Sequence, residues 1–571
     1  MGDVDLPLGE QWHSQPRRLR IICVGAGAAG LLLAYKMQKQ MRDFDLTIYE
    51  KNPEVGGTWY ENRYPGCACD VPAHVYTYSF EPNPDWSQFY ASGPEIQQYF
   101  VRFAEKYHLL PYIRFGTKVQ RAEWIEERGC YQIELETNGK RFEDWCHVLI
   151  NATGNLNKWK WPEIKGLHSF QGTLLHSADW DTSVSYKDKT VAVIGTGSSA
   201  IQIVPQIQPK AKRLLTFMRS ATWISPPIAA DMVVQANANE KAVADAGATD
   251  QPITLNHSYT DSEKERFKKH PEEFLAYRKG LEAQFTSQFD LYLTGSKASQ
   301  EAQRIMQEQM IQRIGPGHEE LKKRLIPSWA PGCRRLSPGA GYLEALVRSN
   351  VTIVYDEISK IVTNGLVDQN GKLHEVDLIV CATGFDVSFK PSFKVFGVDG
   401  ADMHQEFDPE PVVYLAMAVP KFPNYFTING VRGNWATGTA LNAQEVCIDY
   451  ILQCLRRIQT EDIRALEVRR EPVLELYERT DRWHQRSVWN QDCKSWYKNN
   501  IPGGKLWIWG GSSLHYLKTL EIVRWEHYMF RYNQVNIWGF LGNGKVKAEV
   551  ERDLAGLTPY IRNRDEPWSI E

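Results

Sequence analysis

Two glycine-rich turns, each between a predicted strand and a predicted helix, most constrain how this chain can fold. The first lies in RLRIICVGAGAAGLLLAYK and the second in DKTVAVIGTGSSAIQIVPQI. A repeated strand, glycine turn and helix is typical of a parallel sheet covered by helices. The sequence therefore predicts an α/β fold with two Rossmann-like dinucleotide-binding domains.

In the first turn, Gly25, Gly27 and Gly30 form the pattern GxGxxG, and Glu50 closes the next strand about twenty residues later. The first glycine permits the turn, the second lets the backbone approach a pyrophosphate, and the third allows helix and strand to touch. The helix N-terminus attracts the phosphate charge, and a carboxylate at the end of the next strand can accept from both ribose hydroxyls. We therefore predict a dinucleotide site here.

The second turn carries Gly195 and Gly197, and its helix opens with Ser198 and Ser199. Here the next strand ends in Arg219 rather than in an acid. A guanidinium at this place can pair with a 2′-phosphate, whereas a carboxylate would repel it, so the second site favours NADPH over NADH. The alternative is a solvated surface arginine.

A long loop, rich in glycine, proline and aromatic residues, follows Glu50 and runs to about Ser92. Ordered loops of this length usually wrap a ligand. Its segment GGTWYENRYPGCACD suits an isoalloxazine ring better than a mobile nicotinamide, so we assign FAD to the first site and NADPH to the second. The loop residues that we predict to contact the cofactor are Gly57, Thr58, Trp59, Asp70 and Tyr76.

Composition limits the partners of this 571-residue chain. Its formal net charge of -3 argues against nucleic acid and anionic membranes, and it has neither a signal peptide pattern nor eighteen consecutive apolar residues. We expect a cytoplasmic enzyme with small-molecule partners, no stable membrane association and no metal site. The cysteines have no CxxC spacing, so we expect them to be buried thiols: Cys23, Cys67, Cys69, Cys130, Cys146, Cys333, Cys381, Cys447, Cys454 and Cys493.

Two longer motifs resemble the fingerprints of Baeyer-Villiger monooxygenases, in particular the fungal-type branch. In FQGTLLHSADWD, Phe170, Gly172, His176, Trp180 and Asp181 match FxGxxxHxxxW followed by Pro or Asp. The other fingerprint is matched by Gly56, Gly57, Trp59, Tyr64, Pro65, Gly66 and Asp70. The resemblance covers nearly the whole chain and implies FAD- and NADPH-dependent insertion of one oxygen atom of O2 beside a ketone carbonyl, giving an ester or lactone.

The resemblance also implies a role for an adjacent basic pair. Arg334 corresponds to a residue that helps to hold the NADPH 2′-phosphate, and Arg335 to the catalytic arginine. In this family a C4a-peroxyflavin must stay anionic to attack the ketone, and a permanently charged guanidinium favours that anion. Asp70 would orient Arg335; the alternative is a carboxylate that caps its own loop.

The resemblance also bears on three other features of the chain. His176 is expected to link domains rather than to act as an acid or base. Trp489 matches a family tryptophan near the nicotinamide, with simple packing as the alternative. A departure is Gly430 and Val431, where relatives commonly have Gly-Pro beside the flavin.

The same resemblance, together with the order of predicted strands and helices along the chain, predicts an FAD domain interrupted by an NADPH domain that itself carries a helical insertion. In the insertion, Phe274, Tyr277, Leu281, Phe285 and Phe289 follow Pro271 at helix-face spacing and are expected to be core. The predicted segments are FAD domain 1-160, NADPH domain 161-231, helical insertion 232-328, NADPH domain 329-380, and FAD domain with an aromatic C-terminal segment 381-571.

Three other functions compete with ketone oxygenation. A related flavin oxygenase would hydroxylate nitrogen or sulfur, but it uses a protonated oxidant, which Arg335 would disfavour. A disulfide reductase needs a reactive cysteine pair near flavin, and Cys67 and Cys69 lack the usual spacing. A non-catalytic nucleotide-binding protein would have no reason to keep Arg335 and Asp70 together.

Overall fold

The computed structural model describes residues 9-226 and 256-570. A first parallel sheet begins at Leu19–Val24, whose six apolar-rich residues are almost completely buried, as expected for a strand covered on both faces. This strand pairs in parallel with a strand on each side. Leu19 lies opposite Phe44 in one neighbour, and Ile21 lies opposite Val148 in the other. The strand order in the sheet is Tyr425–Thr427, Val148–Asn151, Leu19–Val24, Phe44–Tyr49 and Ile113–Arg114.

A second parallel sheet is built on Thr190–Ile194, the strand that leads into the second glycine turn. Its central strands are again apolar and buried, so helices cover both faces of this sheet too. The strand order is Val351–Val354, Arg213–Phe217, Thr190–Ile194, Leu378–Cys381 and Thr173–His176. The predicted α/β fold class with two Rossmann-like sheets agrees with this architecture.

Smaller sheets surround the two parallel ones. The longest strands alternate between buried and more exposed residues, as in Thr117–Ile125, which is the pattern of an antiparallel sheet with one face on the core. A four-stranded sheet has the order Lys394–Phe396, Thr117–Ile125, Cys130–Thr137 and Lys140–Cys146. The remaining strands are Ile358–Val362, Gly365–Asp368, Leu373–Glu375, Ile224–Ser225, Ser337–Pro338, Ile463–Val468 and Tyr528–Tyr532.

Helices pack against the sheets through apolar faces. Ala28–Gln40 lies beside Ala440–Thr460, and an ion pair of 2.7 Å between Lys36 and Asp449 joins them. The other α-helices are Thr58–Glu61, Gly93–Lys106, Ser198–Ile207, Asp261–Lys269, Pro271–Ser287, Lys297–Ile314, Glu319–Leu325, Tyr342–Leu346, Met403–Glu406, Arg470–His484, Ser513–Thr519 and Lys547–Glu551. Within the described ranges, no helix combines the length and the apolar character needed to cross a lipid bilayer.

The aromatic stripe of the predicted insertion lies on a helix, as expected. Pro271–Ser287 begins with its proline in the first turn and buries Phe274, Tyr277 and Leu281, so these residues are core. Phe289 instead opens a short 3₁₀ turn, Phe289–Tyr292. The predicted start of the insertion at residue 232 lies outside the described residues, which resume at 256.

The prediction that all ten cysteines are thiols is wrong for two of them. Eight are buried and free, but Cys333 and Cys493 form a disulfide across 160 residues of sequence. Sequence spacing gave no signal for this pair because its members approach only when the two segments that carry them fold together.

Candidate active site

The first glycine turn leaves no room for a side chain at its first and third glycines. Gly25 has φ +106°, and a Cβ there would lie 2.8 Å from the Ala152 carbonyl oxygen; one on Gly30 would lie 2.0 Å from the Gly25 oxygen. The helix that follows has Gly27 as its N-cap, and no side chain caps it. Its first amide N–H groups therefore remain available to an anion, as a dinucleotide pyrophosphate requires.

Glu50 is buried at the end of the neighbouring strand, with 4% of its surface exposed. Its two carboxylate oxygens accept hydrogen bonds from the backbone N–H groups of Ala26 and Asn52, both at 2.8 Å. Burial raises the pKa of Glu50, and these two bonds oppose the shift. The carboxylate thus holds the glycine turn in shape, and each oxygen keeps a lone pair for a ribose hydroxyl.

The loop after Glu50 returns to the first turn. A Cβ on Gly57 would lie 3.0 Å from the Gly27 Cα, so the two backbones almost touch. Thr58 then begins a short helix, and its neighbour Trp59 donates from Nε1 to the Tyr76 hydroxyl at 3.2 Å. Four of the loop residues predicted to contact flavin, including Gly57 and Thr58, are therefore gathered beside the first glycine turn.

The second glycine turn has the same geometry with one difference. Gly195 has φ +126°, and a Cβ there would lie 2.4 Å from the Ala382 oxygen, whereas a Cβ on Gly197 would meet nothing within 4 Å. The following helix lacks a side-chain cap. Ser198 hydrogen-bonds Ser337 at 2.8 Å, and Ser199 lies in the same first helical turn. Open space at Gly197 beside free amides suits the close approach of a phosphate.

Two arginines stand at the same edge of the second sheet. Arg219 is exposed just beyond Arg213–Phe217, and Arg334 donates to the Ala221 carbonyl at 3.1 Å. Burial lowers the pKa of Arg334, and in the described part of the chain neither arginine has an ion-pair partner. Two guanidinium groups without counter-charges are suited to binding an anion such as a phosphate.

Arg335, the next residue, does have a counter-charge. Its Nε and Nη2 donate to the two oxygens of Asp70 at 2.5 and 2.7 Å, and Nη1 donates to the Trp435 carbonyl at 3.3 Å. Burial disfavours the charged guanidinium, but Asp70 more than offsets this, so the pKa of Arg335 lies well above its ordinary value. The side chain of Arg335 keeps 36% of its surface accessible, which leaves its charge available to a ligand.

The two glycine turns and the Asp70–Arg335 pair are physically connected. The Tyr64 hydroxyl donates to Gln202 at 2.8 Å, and Gln202 in turn donates to the Ala68 carbonyl at 2.9 Å. Gln202 belongs to the helix of the second turn, while Tyr64 and Ala68 belong to the loop that returns to the first. Asp70 and Arg335 therefore lie where the two dinucleotide-binding units meet.

Trp489 is buried against other aromatic side chains. It is 1% exposed and stacks on Tyr292, with ring centroids 5.0 Å apart, and its Nε1 has no hydrogen-bond partner among the described residues. Its role near a nicotinamide stays a prediction.

Sequence analysis missed aromatic residues that do approach Arg335. The Trp435 carbonyl accepts from Arg335, and the Trp435 ring lies 6.0 Å from that of Trp496. Burial raises the pKa of Tyr497, and the nearby charge of Arg335 opposes the shift. Trp496 and Tyr497 lie in the aromatic C-terminal segment, but only the fold determines which of its rings approach the arginine.

His176 joins segments rather than facing the site. It is completely buried, its Nδ1 accepts from the Ala178 N–H at 3.1 Å, and its ring stacks on Trp159 at 4.4 Å. Because Nδ1 is an acceptor, the proton lies on Nε2, which donates to the Thr383 hydroxyl at 3.2 Å. Trp159 and Thr383 lie on the two segments that run between the parallel sheets, so this geometry fits a linking role.

Val431, at the position where the resemblance implies a proline, is buried, with 1% of its surface exposed. Gly430 donates to the Ala416 carbonyl at 2.8 Å and accepts from the Trp435 indole at 2.9 Å. The segment is therefore held by hydrogen bonds where relatives use a rigid proline.

Comparison with known proteins agrees with this geometry. Residues 18-235 match the model of the flavin-binding monooxygenase-like family. The FAD-binding monooxygenase tazF of Aspergillus terreus is 40% identical over 543 residues, which cover 94% of each chain. A Baeyer-Villiger monooxygenase of Pseudomonas aeruginosa is 32% identical over 500 residues, covering 87% of this chain and 88% of that one. The chain therefore belongs to the flavin-binding monooxygenases, and the Baeyer-Villiger resemblance is confirmed.

Solved structures share the fold. The structure of an oxidized steroid monooxygenase bound to NADP is 27% identical, with a TM-score of 0.71. The matched region spans 90% of this chain and 99% of the steroid monooxygenase. Cyclohexanone monooxygenase from Rhodococcus sp. Phi1 bound to NADP+ has 24% identity and a TM-score of 0.73, with 90% and 100% coverage. The predicted fold class is confirmed by these similarities.

Proposed function

We propose that this protein is a Baeyer-Villiger monooxygenase that uses FAD, NADPH and O2 to convert a ketone into an ester or lactone. The observation that carries the proposal is the Asp70–Arg335 ion pair at the meeting point of two phosphate-binding turns. A scaffold that only bound nucleotides would need neither the fixed cation nor its orienting carboxylate.

The two turns fit two dinucleotides. The free backbone N–H groups of the helix that Gly27 caps, with the Glu50 carboxylate beside them, suit FAD. The adjoining loop supplies the planar rings of Trp59 and Tyr76. Arg219 and Arg334 beside the second turn suit the 2′-phosphate of NADPH. When bound, NADPH supplies the reducing equivalents, and the reduced flavin with O2 supplies a nucleophilic oxygen.

Arg335 stabilises negative charge at the reacting oxygen. An arginine keeps its proton at any physiological pH, and the Asp70 carboxylate makes its loss harder still. The bidentate contact fixes the guanidinium plane, so no reorganisation is needed when charge develops on the carbonyl oxygen of the ketone. A lysine would place a mobile point charge here and would lose its proton at lower pH.

The alternative is oxygenation of nitrogen or sulfur, which needs a protonated oxidant. A permanent cation at the reacting oxygen stabilises the deprotonated form and so favours ketone oxygenation. Similarity to the Aspergillus terreus monooxygenase supports a place in fungal secondary metabolism.

A ketone panel tests the proposal. The purified holoenzyme is expected to be yellow, to bleach on anaerobic addition of NADPH, and in air to convert at least one ketone into a product heavier by one oxygen atom. Mass spectrometry with fragmentation distinguishes an ester or lactone from a hydroxylated product. Hydroxylamine or sulfoxide formation from matched amines and sulfides, without any ester, would establish the alternative.

A further inference from the structure

The disulfide between Cys333 and Cys493 lies immediately before the two functional arginines. Cys333 directly precedes Arg334, and both cysteines are buried, with 0% and 3% of their surfaces exposed. The Cα atoms are 6.3 Å apart, within the ordinary range for a disulfide. The cross-link therefore ties the arginine-bearing segment to a segment 160 residues away in sequence.

That second segment belongs to the flavin side of the molecule. The Tyr497 carbonyl accepts from the Trp507 N–H at 2.7 Å, and the Trp507 carbonyl accepts from the Arg432 N–H at 2.9 Å. Arg432 follows Gly430 and Val431 in the stretch that ends at Trp435, whose carbonyl accepts from Arg335. The disulfide thus connects the arginine segment to a segment that is itself joined, through the backbone hydrogen bonds of Trp507, to the stretch that contacts Arg335.

A polar contact runs parallel to the covalent bond. The Gln491 side chain accepts from the Ala330 N–H at 2.7 Å, so this hydrogen bond joins the same two segments as the disulfide. Within the second segment, the Gln491 carbonyl accepts from the buried Lys498 ammonium at 2.5 Å, which holds Gln491 in place.

The arginine segment has no regular secondary structure. In the described chain, no helix or strand lies between Glu319–Leu325 and Ser337–Pro338, so residues 326-336 have no ladder of backbone hydrogen bonds to hold them. Fixing an irregular segment costs conformational entropy, and a cross-link removes much of that freedom in advance. Displacement of a catalytic group by about 1 Å costs up to ~100-fold in rate.

We propose that the Cys333–Cys493 disulfide is a positioning element for the reaction: it holds the Arg334–Arg335 segment in the geometry that oxygen insertion requires. This inference rests on the proposed Baeyer-Villiger function. Formation of the bond removes two electrons and two protons from the two thiols, and a dithiol reagent returns both as it closes into its own cyclic disulfide.

The first experiment counts thiols in the purified holoenzyme, unfolded under non-reducing conditions and treated with an alkylating reagent. Eight alkylated cysteines are expected out of ten, and all ten after reduction with dithiothreitol. Peptide mapping should recover the peptide that contains Cys333 joined to the one that contains Cys493. Ten alkylated cysteines in the unreduced protein would overturn the proposal.

The second experiment removes the bond. In the double variant Cys333→Ala with Cys493→Ala, the rate of flavin bleaching at saturating NADPH is expected to change less than ~3-fold, because saturation offsets a weaker phosphate contact of Arg334, whereas ester formed per NADPH consumed falls at least ~10-fold. The matched control is Cys130→Ala, which removes a buried free thiol from a distant antiparallel strand and should leave this ratio unchanged. A double variant that forms as much ester per NADPH consumed as the wild type would refute the positioning role.

If the double variant does not fold, the wild-type holoenzyme is instead reduced with dithiothreitol and alkylated at the two freed thiols. The ester formed per NADPH consumed is then compared with that of a mock-treated sample. An unchanged ratio at complete alkylation of both cysteines refutes the proposal. A wild type that forms no ester from any ketone would instead refute the proposed function, so the two failures are distinguishable.

Discussion

Asp70 and Arg335, separated by 265 residues in sequence, form a bidentate ion pair in which two guanidinium nitrogens face two carboxylate oxygens at 2.5 and 2.7 Å. The pair orients a permanent positive charge while leaving part of it exposed. It brings together the loop from the first dinucleotide-binding unit and the arginine segment from the second, so its geometry depends on both units being folded and docked.

Replacing Arg335 with Ala is expected to separate the two halves of the reaction. Flavin bleaching by NADPH should persist, because the phosphate-binding groups are untouched, whereas ester formation should fall below detection. Stopped-flow absorbance and product analysis measure the two steps. Arg324→Ala, which removes an exposed arginine paired with Glu320, is the control. Normal ester yield from the Arg335 variant would remove the basis of the proposed function.

Replacing Asp70 with Asn keeps the shape of the side chain but removes its charge. Oxygen insertion is expected to slow ~10- to 100-fold, because the guanidinium loses its orienting partner. Flavin content, measured from the absorbance ratio of the purified protein, should stay near that of the wild type. A variant that retains full kcat would show that Arg335 is held by other contacts, such as that to Trp435.

The pH dependence distinguishes arginine from lysine at the same position. Since the pKa of Arg335 lies well above its ordinary value, wild-type oxygen insertion should not decline through loss of this charge up to about pH 10. In Arg335→Lys the cation has an ordinary pKa of about 10.4, which burial lowers and Asp70 raises, so activity should begin to fall as pH approaches about 10. Parallel profiles of the two proteins would contradict this.

Arg219→Ala should reduce the preference for NADPH over NADH. The ratio of the two kcat/KM values is expected to fall ~5- to 100-fold, the usual worth of a charge-assisted contact to a phosphate. Arg213→Ala is a matched control, since this arginine begins the same strand at its opposite end and is also exposed. An unaltered cofactor ratio would refute the assignment of Arg219 to the 2′-phosphate.

His176 should make stability depend on pH in the mildly acidic range. Burial lowers its pKa to about 4, below the ordinary value of 6.5, so the unfolded chain binds a proton that the folded protein excludes. Its contribution is complete above pH 6.5 and is lost as pH falls toward 4, on the order of 1–3 kcal/mol. Thermal unfolding of His176→Gln should show a shallower loss of Tm between pH 7 and 4.5 than that of the wild type.

The control for this measurement is His270→Gln, since half of the His270 side chain is exposed. Its Tm should follow the wild-type curve. Equal slopes for the His176 variant and the wild type would show that this histidine does not titrate differently in the two states.

Local patterns in the sequence determined much of this protein. The glycine turns, their flanking strands and the fingerprint residues are readable because the constraints that select them act within a few residues, through φ, helix N-termini and strand periodicity. The fold class and family follow from them. The domain boundaries and the individual roles of the site residues remain predictions.

Only the tertiary structure decided which distant residues meet. Cys333 bonds to Cys493, and Trp435 and Tyr497 approach Arg335, and sequence spacing reveals none of these contacts. The physical reason is that contacts between segments a hundred or more residues apart depend on how whole sheets and loops dock. That docking is the sum of many weak packing interactions that no short motif contains.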